Sequence, residues 1–307
     1  MKKAIITGGT GMLGSALIRL LCEKQIQVLV LVRPGSERIR MIPDSEYVTI
    51  RECDVNHLLE LKDSIDSDYD AFFHFAWGGT HGDARDDVML QNRNVQATLE
   101  AVELAHSAGC KTFLGAGSQA EYGRVDGIPL APDTPVHPET GYGIGKLCAG
   151  QMSRILCRKY GIKHIWVRIL STYGPGDGLH TMVMSGIRQM IAGERPQYTK
   201  GEQMWDYLYC DDAARAFYLA AQKGRDGAVY PIGSGQVRPL AEYIRMIRDA
   251  VDPSIEIGFG EIPYYDKQVM YLCADIHTLT EDTGFVPEIP FSEGIVRTIK
   301  WYRETMI

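Results

Sequence analysis

The sequence lacks the features that mark secreted, metal-binding or membrane-spanning proteins. Its 7 cysteines are scattered, with no Cys-X-X-Cys pair, which favours free thiols in a reducing compartment over a disulfide framework or a zinc site. No His/Cys/Asp cluster has metal-ligand spacing, so no catalytic metal is expected. No apolar run reaches the roughly 18 residues that span a bilayer, and the N-terminal apolar run breaks at TGGTG, too early for a signal peptide. We therefore expect a cytoplasmic globular protein.

An excess of positive charge is also absent. The 39 acidic residues outnumber the 32 lysines and arginines, for a formal net charge of -7, which argues against nucleic acid or an anionic membrane as a partner. With 307 residues, 45% of them hydrophobic, the chain can bury a large core and fits one large α/β domain or two closely packed lobes.

Strand and helix signals alternate along the first half of the chain. Apolar runs such as KAIIT, QVLVLV, AFFHFA and KTFLGAGS are separated by helical patterns such as SALIRLLCEK and NVQATLEAVELAHSAG. Continuous apolar strands between helices predict an α/β fold with a doubly wound parallel (Rossmann) sheet covered on both faces. We expect a Rossmann domain over residues 1–170. Residues 171–307 are expected to form a smaller C-terminal substrate-binding lobe, with some of its segments returning to the sheet.

The segment TGGTGMLG joins the first predicted strand to the first predicted helix. Glycines at positions 8, 11 and 14 let the backbone approach a pyrophosphate, which the helix N-terminus stabilises. A flexible turn is the ordinary alternative, but this location favours dinucleotide binding. The expected cofactor contacts are Gly8, Thr10, Gly11, Met12, Leu13, Gly14, Arg33, Arg38, Asp54, Val55, Phe75, Ala76, Trp77, Tyr142 and Lys146.

The end of the second predicted strand indicates the nicotinamide type. An acidic residue there would hold the ribose 2′-hydroxyl of NAD, whereas this chain has Arg33, followed by Arg38. Arginine accommodates the 2′-phosphate of NADP, so NADP is predicted, with NAD as the alternative if Arg33 is only solvated. Asp54 is expected either beside the adenine amino group or at a helix N-cap.

Tyr142 and Lys146 lie one turn apart on the same face of a predicted helix. A nearby ammonium and an oxidised nicotinamide both lower the pKa of a phenol, so Tyr142 can pass a proton while hydride moves. Ser118, at the end of the strand in GAGSQAEYG, would hydrogen-bond the same substrate oxygen. Each residue alone has an ordinary structural explanation, but the three together behind a dinucleotide loop predict a proton-transfer site.

These motifs together resemble the extended short-chain dehydrogenase/reductase family, of the NAD-dependent epimerase/dehydratase type. The similarity includes TGGTGMLG, HFA and YGIGK, continues through VRILSTYGPGD, WDYLYCDDAARAF and ADIHTLTEDTGFVP, and covers essentially the whole chain. It implies catalytic roles for Ser118, Tyr142 and Lys146, NAD(P) in the N-terminal lobe, and a nucleotide-diphosphate sugar between the lobes. Members act as 4-epimerases, 4,6-dehydratases or 4-ketoreductases. The resemblance also makes a homodimer plausible, paired through NVQATLEAVELAHSAG and the helix of Tyr142.

The sequence of the loop GSQAEYG helps to distinguish among these three activities. Dehydratases of the family look like TDEVYG, whose Asp-Glu pair removes water, but those positions here are Gln119 and Ala120. Glu121 is shifted by one residue, which turns it to the opposite face if the backbone is extended. A reductase exchanges its dinucleotide at every turnover, and NADPH is the usual donor. Arg33 therefore favours reduction of a 4-keto-6-deoxy sugar on a nucleotide carrier. An NAD-dependent 4-epimerase is the alternative, and a non-catalytic dinucleotide sensor is the alternative from another class.

Further departures from the family concern the substrate. Trp205 stands where many family epimerases carry a phosphate-binding arginine, and Ser171 replaces an asparagine. Three arginines in the second half of the chain are candidates for the pyrophosphate, because guanidinium pairs with phosphate bidentately, and only one or two of them are expected to do so. The expected substrate contacts are Trp77, Thr80, Gln119, Glu121, Ser171, His180, Arg188, Arg195, Trp205 and Arg238.

Overall fold

The computed structural model describes residues 1–266 and 268–306. Its strands are β1 (Lys3–Thr7), β2 (Gln27–Val32), β3 (Val48–Glu52), β4 (Ala71–His74), β5 (Thr112–Ser118), β6 (Lys163–Ile169), β7 (Ser171–Tyr173), β8 (Gln197–Tyr198), β9 (Met204–Trp205), β10 (Tyr207–Tyr209), β11 (Ala228–Ile232), β12 (Arg238–Pro239), β13 (Gly258–Phe259) and β14 (Tyr271–Leu272). Its α-helices are α1 (Met12–Glu23), α2 (Val88–Ser107), α3 (Gly141–Tyr160), α4 (Met182–Ile191), α5 (Cys210–Lys223), α6 (Leu240–Val251), α7 (His277–Thr283) and α8 (Phe291–Met306). Short 3-10 helices span Glu37–Met41, Val55–Leu61, Gly82–Arg85 and Gln119–Glu121.

A seven-stranded sheet forms the centre of the molecule, in the order β11-β6-β5-β4-β1-β2-β3. Every neighbouring pair in it is parallel, so the predicted doubly wound parallel sheet is confirmed. The strand order reverses between β1 and β4, and the loops that follow these two strands diverge to open a crevice at the carboxyl edge. The edge strand β11 comes from beyond residue 170, so the sheet draws on the second half of the chain.

Strand side chains divide between two hydrophobic clusters, one on each face of the sheet. Ile6 and Val30 belong to the cluster that includes α1 and α5, whereas Ile5 and Leu29 belong to the cluster that includes α2 and α3. Alternation of successive side chains explains the division. It also explains why these strands are continuously apolar in sequence, because both of their faces are buried.

A smaller set of strands lies outside the central sheet. β10 pairs with β7, β9 pairs with both β12 and β14, and β13 pairs with β8. The buried carboxylate of Asp206 holds this part to the end of β11, since it accepts hydrogen bonds from the N–H groups of Ser234 (2.7 Å), Gly235 (3.1 Å) and Ala274 (3.0 Å). No helix in the described residues is both long and apolar enough to cross a membrane.

The end of β5 is held by a buried ion pair. The Glu121 carboxylate accepts hydrogen bonds from the Ser118 N–H (2.8 Å), Trp166 Nε1 (2.9 Å) and Arg168 Nε (2.8 Å). Glu121 is 0% exposed and Arg168 is 4% exposed. A Cβ added at Gly117 would lie 2.4 Å from Glu121 Oε1, so glycine at this position leaves room for the cluster.

Replacing Glu121 with Gln is expected to lower the free energy of unfolding by about 3 to 5 kcal/mol. The change leaves the Arg168 guanidinium buried without an opposing charge. Urea denaturation measures the effect, with Lys300→Gln as the control, because the Lys300–Glu304 pair is exposed and its loss is expected to leave the midpoint unchanged. A Glu121→Gln protein as stable as the parent would contradict this assignment.

Candidate active site

Ser118, Tyr142 and Lys146 line one cavity of about 470 Å³, together with Gly8 and Gly14 of the glycine-rich loop. Parallel strands end at the same edge of a sheet, so the loop after β1 and the end of β5 meet there. The Tyr142 side chain hydrogen-bonds that of Ser118. The structure therefore brings together the three residues predicted to transfer a proton.

Helix α3 is fixed at the end that carries Tyr142. The Thr140 hydroxyl caps it by accepting a hydrogen bond from the Gly143 N–H (3.1 Å), a common N-cap arrangement. A Cβ added at Gly143 would lie 2.4 Å from the carbonyl oxygen of Ala120. The absence of that atom lets the first turn of α3 press against the loop that begins at Ser118.

Lys146 is buried in the floor of the cavity. Its Nζ donates to the Ala116 carbonyl at 2.5 Å and lies 3.8 Å from the centroid of the Trp77 ring. Burial lowers the pKa of Lys146 to about 7, although the nearby Glu121 carboxylate acts in the opposite direction. Without a ligand, the ammonium therefore loses its proton readily near neutral pH.

Tyr142 is under opposing influences. Burial raises the pKa of its phenol, and the Glu121 carboxylate adds to that effect, whereas the hydrogen bond with Ser118 and the positive charge of Arg85 lower the pKa. The net direction is upward, so the phenol is protonated at neutral pH when no ligand is bound. A protonated phenol in a cavity is equipped to donate a proton to an oxygen atom.

A second cavity, of about 900 Å³, adjoins the first and shares Gly8, Gly11 and Phe75 with it. Its glycines fit a dinucleotide phosphate loop. Gly8 has a φ of 74°, and a Cβ there would lie 2.7 Å from the Ala76 nitrogen, while a Cβ at Gly14 would lie 2.3 Å from the Gly8 carbonyl oxygen. The N-cap residue of α1, Gly11, makes no side-chain cap, which leaves the first N–H groups of the helix available to a phosphate.

All of the residues predicted to contact the cofactor line one of these two cavities. The larger cavity is lined by Gly8, Thr10, Gly11, Arg33, Arg38, Asp54, Val55, Phe75, Ala76 and Trp77. The smaller is lined by Met12, Leu13, Gly14, Tyr142 and Lys146, among others. Asp54 caps a 3-10 helix by accepting from the Asn56 N–H (2.9 Å), and it also lines the larger cavity; its contact with the adenine amino group stays a prediction. Arg38 Nη2 donates to the Gly176 carbonyl at 2.7 Å, which joins the two halves of the chain.

Sequence reasoning missed several residues that line these cavities or hold the loops around them. Glu37 lines the larger cavity along with Arg33. The signal that could have found it is an acidic residue only four positions after Arg33 in the sequence. Asn94 holds the loop after β4 by pairing with both the N–H and the carbonyl of Gly78, at 2.9 Å each. Gln91 holds the same loop by accepting from Trp77 Nε1 at 2.8 Å.

Four of the predicted substrate contacts line the smaller cavity: Trp77, Thr80, Gln119 and His180. Among the described residues, Gln119 Oε1 is a buried atom without a hydrogen-bond partner. His81, which was not predicted, also lines the cavity, and its ring centroid lies 4.5 Å from that of His180. The two histidines stand on loops from different halves of the chain.

The other predicted substrate contacts lie outside this cavity. Glu121 is corrected to a structural role, because its carboxylate is fully buried and bonded to Arg168. Arg195 pairs with Glu261 at 2.9 Å, so its guanidinium is already occupied. Trp205 Nε1 donates to the Ser171 hydroxyl at 2.7 Å.

Arg188 is exposed on α4, and Arg238 is exposed and lies 3.8 Å from Glu242. Neither arginine lines the cavity of Ser118, and substrate contacts for Arg188, Arg238, Ser171 and Trp205 stay predictions. Within the described part of the chain, no group of three or more His, Cys, Asp and Glu side chains is placed to hold a metal ion.

Comparison with known proteins places these features in a family. The sequence is 26% identical to a Methanocaldococcus jannaschii protein provisionally named as a UDP-glucose 4-epimerase, over 97% of this chain and 98% of that one. The structure matches a UDP-glucose 4-epimerase from Thermotoga maritima solved with UDP-glucose, with a TM-score of 0.86, 23% identity and coverage of 99% and 100%. It also matches DesIV, a dTDP-glucose 4,6-dehydratase from Streptomyces venezuelae solved with NAD, with a TM-score of 0.85, 22% identity and coverage of 99% and 97%.

Structural likeness at these identities shows a shared fold. The family itself is shown by the sequence, because residues 4–233 match the profile of the NAD dependent epimerase/dehydratase family. The predicted family and a nicotinamide-dependent enzyme are thereby confirmed, whereas the preference for NADP and the reductase reaction stay predictions. The chain belongs to the NAD-dependent epimerase/dehydratase family of extended short-chain dehydrogenases/reductases.

Proposed function

We propose that the protein is an NADP-linked oxidoreductase that reduces the 4-keto group of a nucleotide-diphosphate 6-deoxysugar. The observation that carries the proposal is the meeting of Ser118, Tyr142 and Lys146 in a cavity that continues into the one formed by the glycine-rich loop. A ketone placed in the smaller cavity would lie within reach of both the phenol and a dinucleotide.

Each of the three residues has a distinct task. Tyr142, protonated at neutral pH, donates its proton to the ketone oxygen as the alcohol forms. Ser118 hydrogen-bonds the same oxygen and stabilises the developing negative charge. Lys146 supplies a buried positive charge beneath them when it is protonated. The dinucleotide, when bound, supplies the hydride.

The loop after β5 disfavours a dehydratase. Elimination of water needs a second acid and base beside the tyrosine, but Ala120 has no ionisable group and Gln119 carries a neutral amide. The only nearby carboxylate of that loop, on Glu121, is paired with Arg168 away from the cavity. Simple reduction needs no more than the serine, the tyrosine and the lysine.

The preference for NADP rests on Arg33. This residue is exposed immediately after β2 and lines the larger cavity, where a guanidinium suits the 2′-phosphate of NADP. A reductase that draws on NADPH must also exchange it at every turnover.

An NAD-dependent 4-epimerase is the second candidate. Glu37 lines the same cavity as Arg33, and a carboxylate there suits the ribose diol of NAD. The epimerases and the NAD-bound dehydratase among the similar proteins also favour this alternative. An epimerase retains its dinucleotide in the oxidised form between turnovers, which separates the two candidates experimentally.

We also propose a homodimer that pairs through α2 and α3. Large apolar side chains are exposed on both helices, including Val88 (66%) and Met89 (64%) on α2, and Ile144 (55%) and Ile155 (57%) on α3. A monomer would leave this apolar surface in water, whereas a partner copy would cover it.

The purified protein is expected to carry little bound dinucleotide. It is also expected to bind NADPH at least about tenfold more tightly than NADH, because an arginine–phosphate contact contributes about 1.5 to 3 kcal/mol to binding. Arg33→Ala is expected to remove most of this preference. Arg40→Ala is the matched control, because Arg40 is exposed nearby but lies outside the cavity. Mass spectrometry of the denatured protein and calorimetric titration measure the two quantities. Near-stoichiometric NAD⁺ that survives dialysis would instead establish the epimerase.

Binding of NADPH is expected to take up close to one proton at pH 8 and to weaken as the pH rises above about 7. The pKa of free Lys146 is about 7, and the anionic dinucleotide favours the protonated ammonium, so binding raises that pKa. Calorimetry in buffers with different ionisation enthalpies measures the uptake. Lys146→Met is expected to abolish it. Lys163→Met is the control, because burial also lowers the pKa of Lys163, which lies outside both cavities. Equal uptake by all three proteins would contradict the role of Lys146.

A further inference from the structure

The segment after β4 packs directly on the first turn of α3. The Gly141 N–H donates to Asp86 Oδ1 at 2.8 Å, and a Cβ added at Gly141 would lie 3.0 Å from the Arg85 carbonyl oxygen. Gln91 holds the same segment from below, because its Nε2 donates to the carbonyls of Gly79 (3.0 Å) and Ala84 (2.9 Å). These contacts hold the segment in place over Tyr142, the residue that follows Gly141.

The side chain of Arg85, on this segment, places a guanidinium beside the tyrosine. Arg85 Cζ lies 4.5 Å from the centroid of the Tyr142 ring, within the range of a cation–π contact. Arg85 Nη1 donates to the Thr80 carbonyl at 3.0 Å, which fixes the guanidinium in this place. Among the described residues, Arg85 forms no ion pair that would offset its charge.

Several other charged groups act on Tyr142. Lys146 Nζ lies 5.8 Å from the ring centroid, and the Glu121 carboxylate raises the pKa of the phenol. Asp86 lies on the covering segment itself, although its carboxylate is hydrogen-bonded to Gly141 N–H. Because burial lowers the pKa of Lys146 to about 7, that lysine is only partly charged near neutral pH. An arginine guanidinium, in contrast, is a lasting positive charge in proteins.

We propose that Arg85 is a positioning residue for proton transfer, whose guanidinium stabilises the Tyr142 phenolate that forms when the phenol gives its proton to the substrate. This inference rests on the proposed function. In the step, the phenol O–H bond breaks while an O–H bond forms at the former ketone oxygen, and the negative charge is left on the Tyr142 oxygen. A proton from solvent later restores the phenol.

The test compares Arg85→Met with Arg85→Lys, which keeps the charge. Arg40→Met is the matched control, because Arg40 is exposed and lies outside both cavities and outside the helices of the proposed dimer surface. Each protein carries 3-fluorotyrosine at position 142. The ¹⁹F signal of this residue reports the ionisation of that one phenol. Because fluorination lowers the intrinsic pKa of the phenol, the titration stays within a mild pH range. Loss of the cation is expected to raise the phenol pKa by about one pH unit, which leaves about tenfold less phenolate. Arg85→Lys is expected to retain most of the parent value, and Arg40→Met all of it.

The pH profile of ketone reduction gives a second readout. Reduction needs the protonated phenol, so kcat/KM falls as the pH rises through the phenol pKa, and this alkaline limb is expected to move upward in Arg85→Met by the same amount. An unchanged ¹⁹F titration in Arg85→Met overturns the proposal. If the titration shifts but no 4-keto nucleotide sugar is reduced, the role of Arg85 stands and the proposed reaction is wrong.

Discussion

The active site depends on one buried carboxylate. Glu121 accepts hydrogen bonds from the Ser118 N–H, Trp166 and Arg168, so it joins the ends of β5 and β6 at the point where the loop that begins with Ser118 leaves the sheet. A buried ion pair contributes little net stability, but removal of one partner is costly. The role of the pair here is to fix positions. The Ser118 hydroxyl, the Tyr142 phenol and the Lys146 side chain all lie around the end of β5 that this cluster holds in place.

The same carboxylate sets the charge balance of the site. It raises the pKa of both Tyr142 and Lys146, while burial raises the first and lowers the second. The unliganded cavity therefore holds a neutral phenol above a lysine that is only partly protonated. An anionic ligand would favour the charged lysine, and a charged lysine in turn favours the phenolate. In the proposed reaction, ligand binding and proton transfer would therefore be coupled through Glu121, Tyr142 and Lys146.

Features whose geometry is set by a short stretch of sequence could be predicted. The glycine loop and the Tyr142–Lys146 spacing are confined to one turn or one helix, so their geometry follows from secondary structure alone. Contacts between distant segments could not be predicted in this way. Arg85 reaches Tyr142, and Arg195 reaches Glu261, only through the packing of loops that carry no periodic signal. The substrate contact predicted for Glu121 was wrong, because a short 3-10 helix closed by a capping box turns its carboxylate toward Arg168.

The most direct measurement is isotope transfer from NADPH that carries deuterium at its transferable C4 position. With a nucleotide-linked 4-keto-6-deoxyhexose as substrate, the account predicts one NADPH consumed per sugar and deuterium at C4 of the product. Tyr142→Phe should bind NADPH normally and transfer no deuterium. If no NADPH is consumed while C4 of a nucleotide hexose is inverted, the reductase account is wrong and the protein is a 4-epimerase.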